Sequence, residues 1–382
     1  MNHGECDLVK IVSIDVIGLR ADHDAPDSAS ESCIVEVHTD SGLSGIAESA
    51  SATPLVRAAI EGEAGSRIYP GLASLVMGRD PLDIDALWQH MYRSNRFIGR
   101  RGVVLHGISA IDMALWDLKG KAEGVPVAAL LGGPKRDRLR AYGTVWPTGN
   151  TLDDLRRNID RGLDLGLREI KLCATPEWAA DPALTATLAS AARAHVGDNV
   201  ALYLDGCENW PTAVAAKVVI PALAEAGFGW FEAPLCGDDV EGYGALQGHG
   251  VPIAGGDTGL TTRYEFAPMI DIGRVDIAQP DITLVGGFSE VRHIGHMVRE
   301  RDRRMVMHGY QSGILLACNM HIQAAEPVDE PAEYSVSLSP LRWELTNEKL
   351  EVGDDGRVAL PDGPGLGVTL NRETVERFRV PH

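Results

Sequence analysis

The chain has 382 residues, which is too long for one ordinary hydrophobic core, so two domains are expected. Its formal net charge of −19 argues against nucleic acid and anionic membranes as partners, because both repel a strongly acidic protein. The six scattered cysteines, the absence of a long apolar run and a polar N-terminus without a signal-peptide core together predict a cytoplasmic protein with reduced thiols.

The first 130 residues predict an α+β domain. Alternating apolar residues predict an antiparallel meander with strands at Ile11–Leu19, Cys33–Thr39 and Leu43–Glu48. The polar segment Ala21–Glu31 between the first two strands is either a solvated loop or a mobile flap over a site. Residues 52–132 predict helices, and Leu105–Gly124 has the clearest helical periodicity, ending at a glycine.

From Arg140 onward, strands and helices alternate for roughly 200 residues. The predicted strands are Arg140–Val145, Glu169–Cys173, Ala201–Asp205, Trp230–Glu232, Pro252–Ala254, Val275–Gln279, Met305–His308 and Ala332–Tyr334. This order predicts the α/β class and a TIM-type (β/α)7-8 barrel, in which one unit is allowed to be degenerate. We therefore expect a capping domain at 1–135, a barrel at 136–340, and a C-terminal segment at 341–382 that packs back on the capping domain.

Three of these strand regions end in an acidic residue. ALYLD ends at Asp205, GWFE at Glu232 and VPIAGGD at Asp257, with separations of 27 and 25 residues that suit successive strand–helix units. Any one of these acids alone would be read as a helix cap or a loop carboxylate. Three on neighbouring parallel strands would converge and repel one another unless a cation lay between them, and hard oxygen ligands suit Mg²⁺.

Four further ionisable residues fall at the same end of other predicted strands. Lys171 lies inside an otherwise apolar strand, so it either pairs with a rim carboxylate or contacts an anionic ligand, and one arrangement can do both. His308 alone would be read as a structural histidine, but Asp281 on the adjacent strand can hold one ring nitrogen and raise the basicity of the other. Glu333 is either a hydrogen-bond partner in the site or a structural acid. In a barrel of this type the catalytic face is the C-terminal end of the strands.

Several motifs resemble those of one enzyme family. HGISAIDMALWDLKGKAEGVPVAALLGG, GLREIKLC, WFEAPL, PIAGGD, DIAQPDITLVGGFSE and VMHGYQSG occur in this order along the chain. Together they resemble the enolase superfamily, and within it the mandelate racemase and muconate lactonising enzyme group, over essentially the whole chain.

The resemblance implies a site and a reaction. It implies Mg²⁺ held by Asp205, Glu232 and Asp257, with a His308–Asp281 dyad that moves the proton alpha to a substrate carboxylate. It also implies that Glu333 hydrogen-bonds the enolate oxygen and that the capping domain closes over the substrate. Removing that proton places two negative charges on an enediolate, which a divalent metal and a nearby cation such as Lys171 can stabilise.

The chain departs from the family pattern at three positions. Cys173 stands where the racemase-like pattern has the second lysine of Lys-x-Lys, Asp257 stands for a glutamate, and Cys207 stands for the asparagine of Asp-x-Asn. Loss of the second lysine argues against two-base racemisation, because inversion needs proton donors on both faces of the substrate. The sequence therefore favours one-base dehydration of a sugar acid to a 2-keto-3-deoxy acid. In this reaction His308 acts first as base and then as acid.

Two alternatives to this lyase reaction stay open. A racemase, epimerase or cycloisomerase would need Lys171 or another group in place of the missing base. A metal-binding relative without turnover would keep the fold and lose the chemistry. The expected partners are a small anionic carboxylate substrate and, from the family habit, further copies of the chain in a dimer or octamer. Trp146, Arg100 and Arg101 are candidate substrate contacts.

Overall fold

A computed structural model describes residues 9–22, 27–62, 70–257 and 259–381. Part of the predicted flap, residues 23–26, therefore lies outside the described residues. The N-terminal region forms an antiparallel sheet of β1 (Ile11–Arg20), β2 (Glu31–Thr39) and β3 (Ser44–Ser49), in that order. The predicted meander is confirmed, with β1 and β2 each extended by one or two residues.

Helices follow this sheet and cover it. They are α1 (Thr53–Glu61), α2 (Leu72–Val76), α3 (Ile84–Ser94), α4 (Val103–Glu123) and α5 (Val127–Leu130). Helix α4 packs on β3 and is almost wholly buried, because it lies between the N-terminal sheet and the barrel. It ends as predicted at Gly124, whose left-handed backbone lets its N–H reach back to the carbonyls of Gly120 and Lys121.

The barrel strands are parallel and follow one another around a curled sheet. They are β4 (Arg138–Val145), β5 (Glu169–Cys173), β6 (Ala201–Asp205), β7 (Phe228–Glu232), β8 (Ile253–Gly255), β9 (Ile277–Ala278), β10 (Arg304–Met305) and β11 (Ala332–Ser335). Each strand from β4 to β9 pairs with the next along the chain, and β11 returns to pair with β4. The predicted TIM-type barrel is confirmed.

Helices connect these strands on the outside of the barrel. They are α6 (Leu152–Asp164), α7 (Pro176–Ala180), α8 (Pro182–Val196), α9 (Ala213–Glu225), α10 (Val240–Ala245), α11 (Arg263–Asp271), α12 (Ile282–Val285), α13 (Gly287–Glu300) and α14 (Gly313–Ala325). Inside the barrel, the rings of Tyr203 and Trp230 stack with centroids 3.5 Å apart, and Tyr142 meets Trp230 edge-on at 5.3 Å. The barrel interior is therefore filled with packed side chains.

Strands β9 and β10 are shorter than the sequence predicts. The ladder breaks near Pro280, which has no N–H to donate, although its carbonyl accepts a hydrogen bond from the His308 N–H at 3.1 Å. Asp281 and His308 then form an isolated bridge beyond both strands. The side chains of Asp281 and His308 therefore project from residues that follow the ends of β9 and β10.

The C-terminal segment contacts both the barrel and the N-terminal sheet. It contains α15 (Pro340–Glu344), β12 (Arg357–Ala359) and α16 (Arg372–Phe378), and β12 pairs antiparallel with β4. The Arg372 guanidinium pairs with the buried Glu36 carboxylate at 2.5 Å, and the Val380 N–H donates to the Gly18 carbonyl at 2.8 Å. The domain limits at 135 and 340 stay a prediction. None of the described helices combines the length and apolar character that a membrane span requires.

Candidate active site

A cavity of about 410 Å³ opens at the carboxyl ends of the barrel strands. Ser28 and Ala50 from the N-terminal region form part of its wall, and the remaining lining comes from barrel residues. A larger cleft of about 640 Å³ lies on the outside of the molecule beside α3 and α13. Most of the ionisable residues singled out from the sequence line the smaller cavity, which is therefore the candidate active site.

The three acids predicted as metal ligands meet at this cavity, where Asp205 and Asp257 form part of the lining and Glu232 is buried beside them. Asp205 ends β6, Glu232 ends β7 on the neighbouring strand in register with it, and Asp257 follows β8 by two residues. All three are buried, and each offers a carboxylate oxygen within 4.8 Å of the others. They form a candidate metal site, as their spacing in the sequence predicts.

Two residues that the sequence analysis did not assign hold Glu232 in place. The Trp230 indole N–H donates to Glu232 Oε2 at 2.9 Å, and the Gln279 side-chain amide donates to the same oxygen at 2.7 Å. Trp230 precedes Glu232 by two residues in β7, so the two side chains lie on the same face of that strand. This two-residue spacing along the strand was the sequence pattern that could have identified Trp230.

Lys171 connects the carboxylates. Its buried ammonium lies 2.5 Å from Glu232 Oε1, 2.8 Å from Glu333 Oε1 and 3.5 Å from Asp205 Oδ2. Burial alone would lower the pKa of Lys171, but Glu232 and Glu333 raise it well above its ordinary value. Lys171 thus pairs with rim carboxylates, and because it also lines the cavity, this pairing leaves it beside the space for an anionic ligand.

His308 and Asp281 form a hydrogen-bonded pair beside these groups. His308 Nδ1 lies 2.8 Å from Asp281 Oδ2, while Asp281 Oδ1 accepts hydrogen bonds from the backbone N–H and the hydroxyl of Thr283, each at 2.7 Å. Burial alone would lower the pKa of His308, but Glu333 and Asp281 raise it to about 10. The pair is geometrically suited to hold the ring with Nε2 available to a ligand.

Glu333 is an acceptor in this arrangement. Its carboxylate accepts hydrogen bonds from the Thr144 hydroxyl at 2.5 Å and the Gly309 N–H at 2.7 Å, and it lies 4.0 Å from His308 Nε2. Burial would raise its pKa, but Lys171 and His308 lower the pKa of Glu333 to about 2. A hydrogen bond donated by Glu333 to an enolate would require a proton from its neighbours.

The charges around the cavity favour a bound divalent cation. Among the described residues that meet here, five carboxyl groups (Asp205, Glu232, Asp257, Asp281 and Glu333) face two cationic side chains (Lys171 and His308). Burial raises the pKa of Glu232 to about 8, and burial together with Asp205 raises the pKa of Asp257 to about 6. Because the excess negative charge is buried and its donors are hard oxygens, the residues present fit Mg²⁺.

The N-terminal region reaches across the cavity mouth. Asp27 accepts hydrogen bonds from the Ser337 hydroxyl at 2.9 Å and the Tyr310 hydroxyl at 3.2 Å, so the loop after β1 is tied to the barrel rim. Trp146, which lines the cavity, meets the Tyr310 ring edge-on at 6.2 Å. Arg101 has an exposed side chain that pairs with Glu265 and Asp238.

Comparison with known proteins places this chain in a family. Residues 26–132 match the model for the N-terminal domain of mandelate racemase and muconate lactonizing enzyme, and residues 154–374 match the model for the enolase C-terminal domain-like fold. The chain belongs to the enolase superfamily. Within that superfamily it is an enzyme of the mandelate racemase and muconate lactonising group, as its motifs predict.

Relatives in the superfamily carry several activities. The chain is 31% identical to D-galactarolactone cycloisomerase of Agrobacterium fabrum, over 80% of this chain and 82% of the relative. It is 32% identical to arabinonate dehydratase of Saccharolobus solfataricus, over 81% of each chain. A racemase from Streptomyces coelicolor A3(2), solved with bound magnesium, superposes with a TM-score of 0.84 at 26% identity, covering 98% of this chain and all of that one.

Proposed function

We propose that this enzyme is a Mg²⁺-dependent sugar-acid dehydratase. It removes the proton alpha to a carboxylate and expels the beta-hydroxyl as water, which gives a 2-keto-3-deoxy acid. The observation that carries the proposal is the His308–Asp281 pair, 2.8 Å apart, beside three convergent buried carboxylates. Arabinonate dehydratase, a relative at 32% identity, supports the same class of reaction.

His308 is the proposed base and acid. With Nδ1 held by Asp281, Nε2 takes the alpha proton from the substrate. The same nitrogen then returns that proton to the departing beta-hydroxyl, so the proton leaves as part of the water. This cycle restores neutral His308 and needs no second proton acceptor.

The opposite side of the cavity supports a one-base reaction. Cys173 occupies the position where the racemase-like pattern has its second lysine, and burial raises the pKa of its thiol well above the ordinary value. Lys171 is already engaged by Glu232 and Glu333 and carries a fixed charge. A base on this face is therefore lacking among the described residues, which disfavours racemisation.

The charge that develops on the substrate is met by the other site residues. Asp205, Glu232 and Asp257 would hold Mg²⁺, which when bound supplies Lewis-acid stabilisation of the substrate carboxylate. Lys171 adds a permanent positive charge beside them, and its pairing with Glu333 keeps that charge in place when the cavity is empty of substrate. The hydrogen bonds of Asp27 to Ser337 and Tyr310 hold the N-terminal side of the cavity against the barrel rim.

A screen of acid sugars tests the reaction. The purified enzyme with Mg²⁺ is incubated with a library of aldonic and aldaric acids in D₂O, and products are assayed as 2-keto acids and by mass. We expect at least one acid to give a keto acid that has lost one water and has gained one solvent deuterium at C3. Exchange of the alpha proton without loss of water, or a change of configuration, would contradict dehydration.

Cycloisomerisation is the second candidate. The cycloisomerase from Agrobacterium fabrum is related over four fifths of this chain, and its name gives a lactone as substrate. Such a reaction would use the same base and the same metal ligands. Sugar lactones belong in the screen for this reason, and a product of unchanged mass from a lactone would favour this candidate over dehydration.

A further inference from the structure

A second donor cluster shares Asp205 with the three carboxylates. Cys173, Asp205 and Cys207 each place a sulfur or oxygen atom within 4.8 Å of the others. Cys173 is buried and Cys207 is partly buried at the cavity wall. The other described cysteines, Cys33, Cys236 and Cys318, belong to no such cluster within the described residues.

The barrel's register brings these three side chains together. Cys173 and Asp205 are direct partners in the parallel ladder of β5 and β6, and Cys173 Sγ lies 3.8 Å from Asp205 Oδ2. Cys207 follows two residues later in a left-handed conformation, with φ of 48°. Its N–H donates to Asp205 Oδ1 at 2.8 Å, so the turn that carries its sulfur is fixed to the same carboxylate.

The donor set differs in kind from the oxygen site beside it. Two sulfurs and one carboxylate suit Zn²⁺ or Cd²⁺, whereas Mg²⁺ takes oxygen ligands and does not favour thiolates. A sulfur about 2.3 Å and a carboxylate oxygen about 2.1 Å from a tetrahedral zinc ion lie roughly 3.6 Å apart, which is close to the 3.8 Å between Cys173 Sγ and Asp205 Oδ2. The Cys207 sulfur lies within 4.8 Å of both of these atoms.

The cluster also has an open side. Cys173, Asp205 and Cys207 all line the same cavity, so a cation can enter and a water molecule can complete its coordination. Three protein ligands with one open position is the arrangement of accessible zinc sites rather than closed structural ones.

We propose that Cys173, Asp205 and Cys207 form a binding site for a thiophilic divalent cation, distinct from the carboxylate site but sharing Asp205 with it. Since one carboxylate serves both sites, a cation in either site weakens binding in the other. The proposal concerns metal binding alone and holds whichever reaction the enzyme carries out.

Cadmium titration tests the site directly. The probe is Cd²⁺ added to fully reduced protein without substrate, followed by the ultraviolet charge-transfer absorption of thiolate–cadmium bonds and by calorimetry. The background protein carries Cys6→Ser and Cys236→Ser, because Cys236 is exposed and Cys6 lies outside the described residues. In that background we expect one Cd²⁺ per chain with the thiolate absorption retained.

Variants of the cluster provide the comparison. Cys173→Ser and Cys207→Ser, each nearly isosteric, are expected to lower the thiolate absorption and to weaken Cd²⁺ binding by at least about tenfold, while circular dichroism stays that of the folded protein. Asp257→Asn removes a ligand of the carboxylate site only, so the thiolate absorption is expected to persist. Added Mg²⁺ is expected to raise the apparent dissociation constant of Cd²⁺ in the background protein.

Specific results would overturn the proposal. Absence of thiolate absorption in the background protein would show that the cysteines do not bind the ion. Unchanged absorption in both Cys173→Ser and Cys207→Ser would place the ion elsewhere. A Cd²⁺ affinity that Mg²⁺ leaves unchanged would show that Asp205 is not shared.

Discussion

Lys171 and His308 keep their positive charges in the metal-free molecule for the same reason. Each lies among carboxylates that burial has removed from water, so attraction to Glu333 outweighs the cost of burying the cation. A divalent cation among Asp205, Glu232 and Asp257 would oppose both effects. The protonation of the base is thus coupled to metal binding through the residues between them.

Replacing the proposed base tests its role. We expect His308→Asn to reduce kcat by at least about 10²-fold, because no other described group stands in position to carry the proton. The variant should bind Mg²⁺ as the parent does, since His308 is not among the three proposed ligands. His296→Asn is the matched control, because His296 has an exposed side chain on α13 that pairs with Glu300. Turnover near the parent value in His308→Asn would refute the assignment.

The pH dependence of kcat/KM should reflect the hydrogen-bonded His308–Asp281 pair rather than His308 alone. His308 must be neutral to accept a proton, so kcat/KM should rise as pH rises through its pKa. Asp281 raises that pKa, so Asp281→Asn is expected to move the rising limb to lower pH as well as lower the maximum rate. Asp271→Asn, which breaks a surface pair with Arg301, serves as control. A rising limb that stays in place, or moves to higher pH, would contradict the coupling.

At the scale of elements, helix α4 joins the parts of the molecule. Asp117 on this helix is fully buried and accepts hydrogen bonds from the N–H groups of Ile46 in β3 and Leu366 in the C-terminal segment, each at 2.8 Å. Lys121 pairs with the same carboxylate at 2.6 Å. One side chain thus holds the N-terminal sheet and the chain's end together.

Removing that carboxylate should destabilise the protein. We expect Asp117→Ala to lower the free energy of unfolding by roughly 2–4 kcal/mol, because two buried N–H groups lose their acceptor. Urea unfolding followed by circular dichroism measures the change. Lys119→Ala on the same helix removes a surface pair with Glu123 at 4.0 Å and should cost at most about 0.5 kcal/mol. Equal losses in the two variants would argue against the role given to Asp117.

The elements differ in how far sequence could predict them. Strands β5 and β6 match their predicted ranges because each is a short apolar run with a polar residue at its rim, a pattern that burial imposes on parallel strands. Strands β9 and β10 do not, because the break at Pro280 depends on how two distant segments pair. Likewise, the regular spacing of strand–helix units predicts the positions of Asp205, Glu232 and Asp257. The hydrogen bonds that Trp230 and Gln279 donate to Glu232 depend on side-chain positions, which the sequence does not give.

At the scale of the whole molecule, the cavity belongs to more than the barrel. Ser28 and Ala50 close it from the N-terminal side, and Asp27 holds that side to Ser337 and Tyr310. The barrel therefore supplies the ionisable groups, while the loop after β1 shapes the space above them. The choice of substrate depends on those loops, and the motifs that identify the family do not encode it.

Metal binding should be visible in the stability of the entire chain. Burial raises the pKa values of Glu232 and Asp257. At pH values between the ordinary and the raised pKa of each group, the folded protein without metal therefore binds more protons than the unfolded chain. Its stability should therefore fall as pH rises toward about 8. Mg²⁺ replaces those protons and should oppose the fall.

A thermal shift experiment measures this linkage. At a fixed concentration that is 100 times its dissociation constant at pH 8.5, Mg²⁺ should add about 2.7 kcal/mol, or roughly 3 °C in Tm for a chain of this size. The shift should be larger at pH 8.5 than at pH 6, because protons compete with the metal at the lower pH. Asp257→Asn should abolish most of the shift, whereas Asp271→Asn, a surface carboxylate, should leave it intact. A shift of equal size in both variants would mean that Mg²⁺ stabilises the protein from a site other than the one formed by Asp205, Glu232 and Asp257.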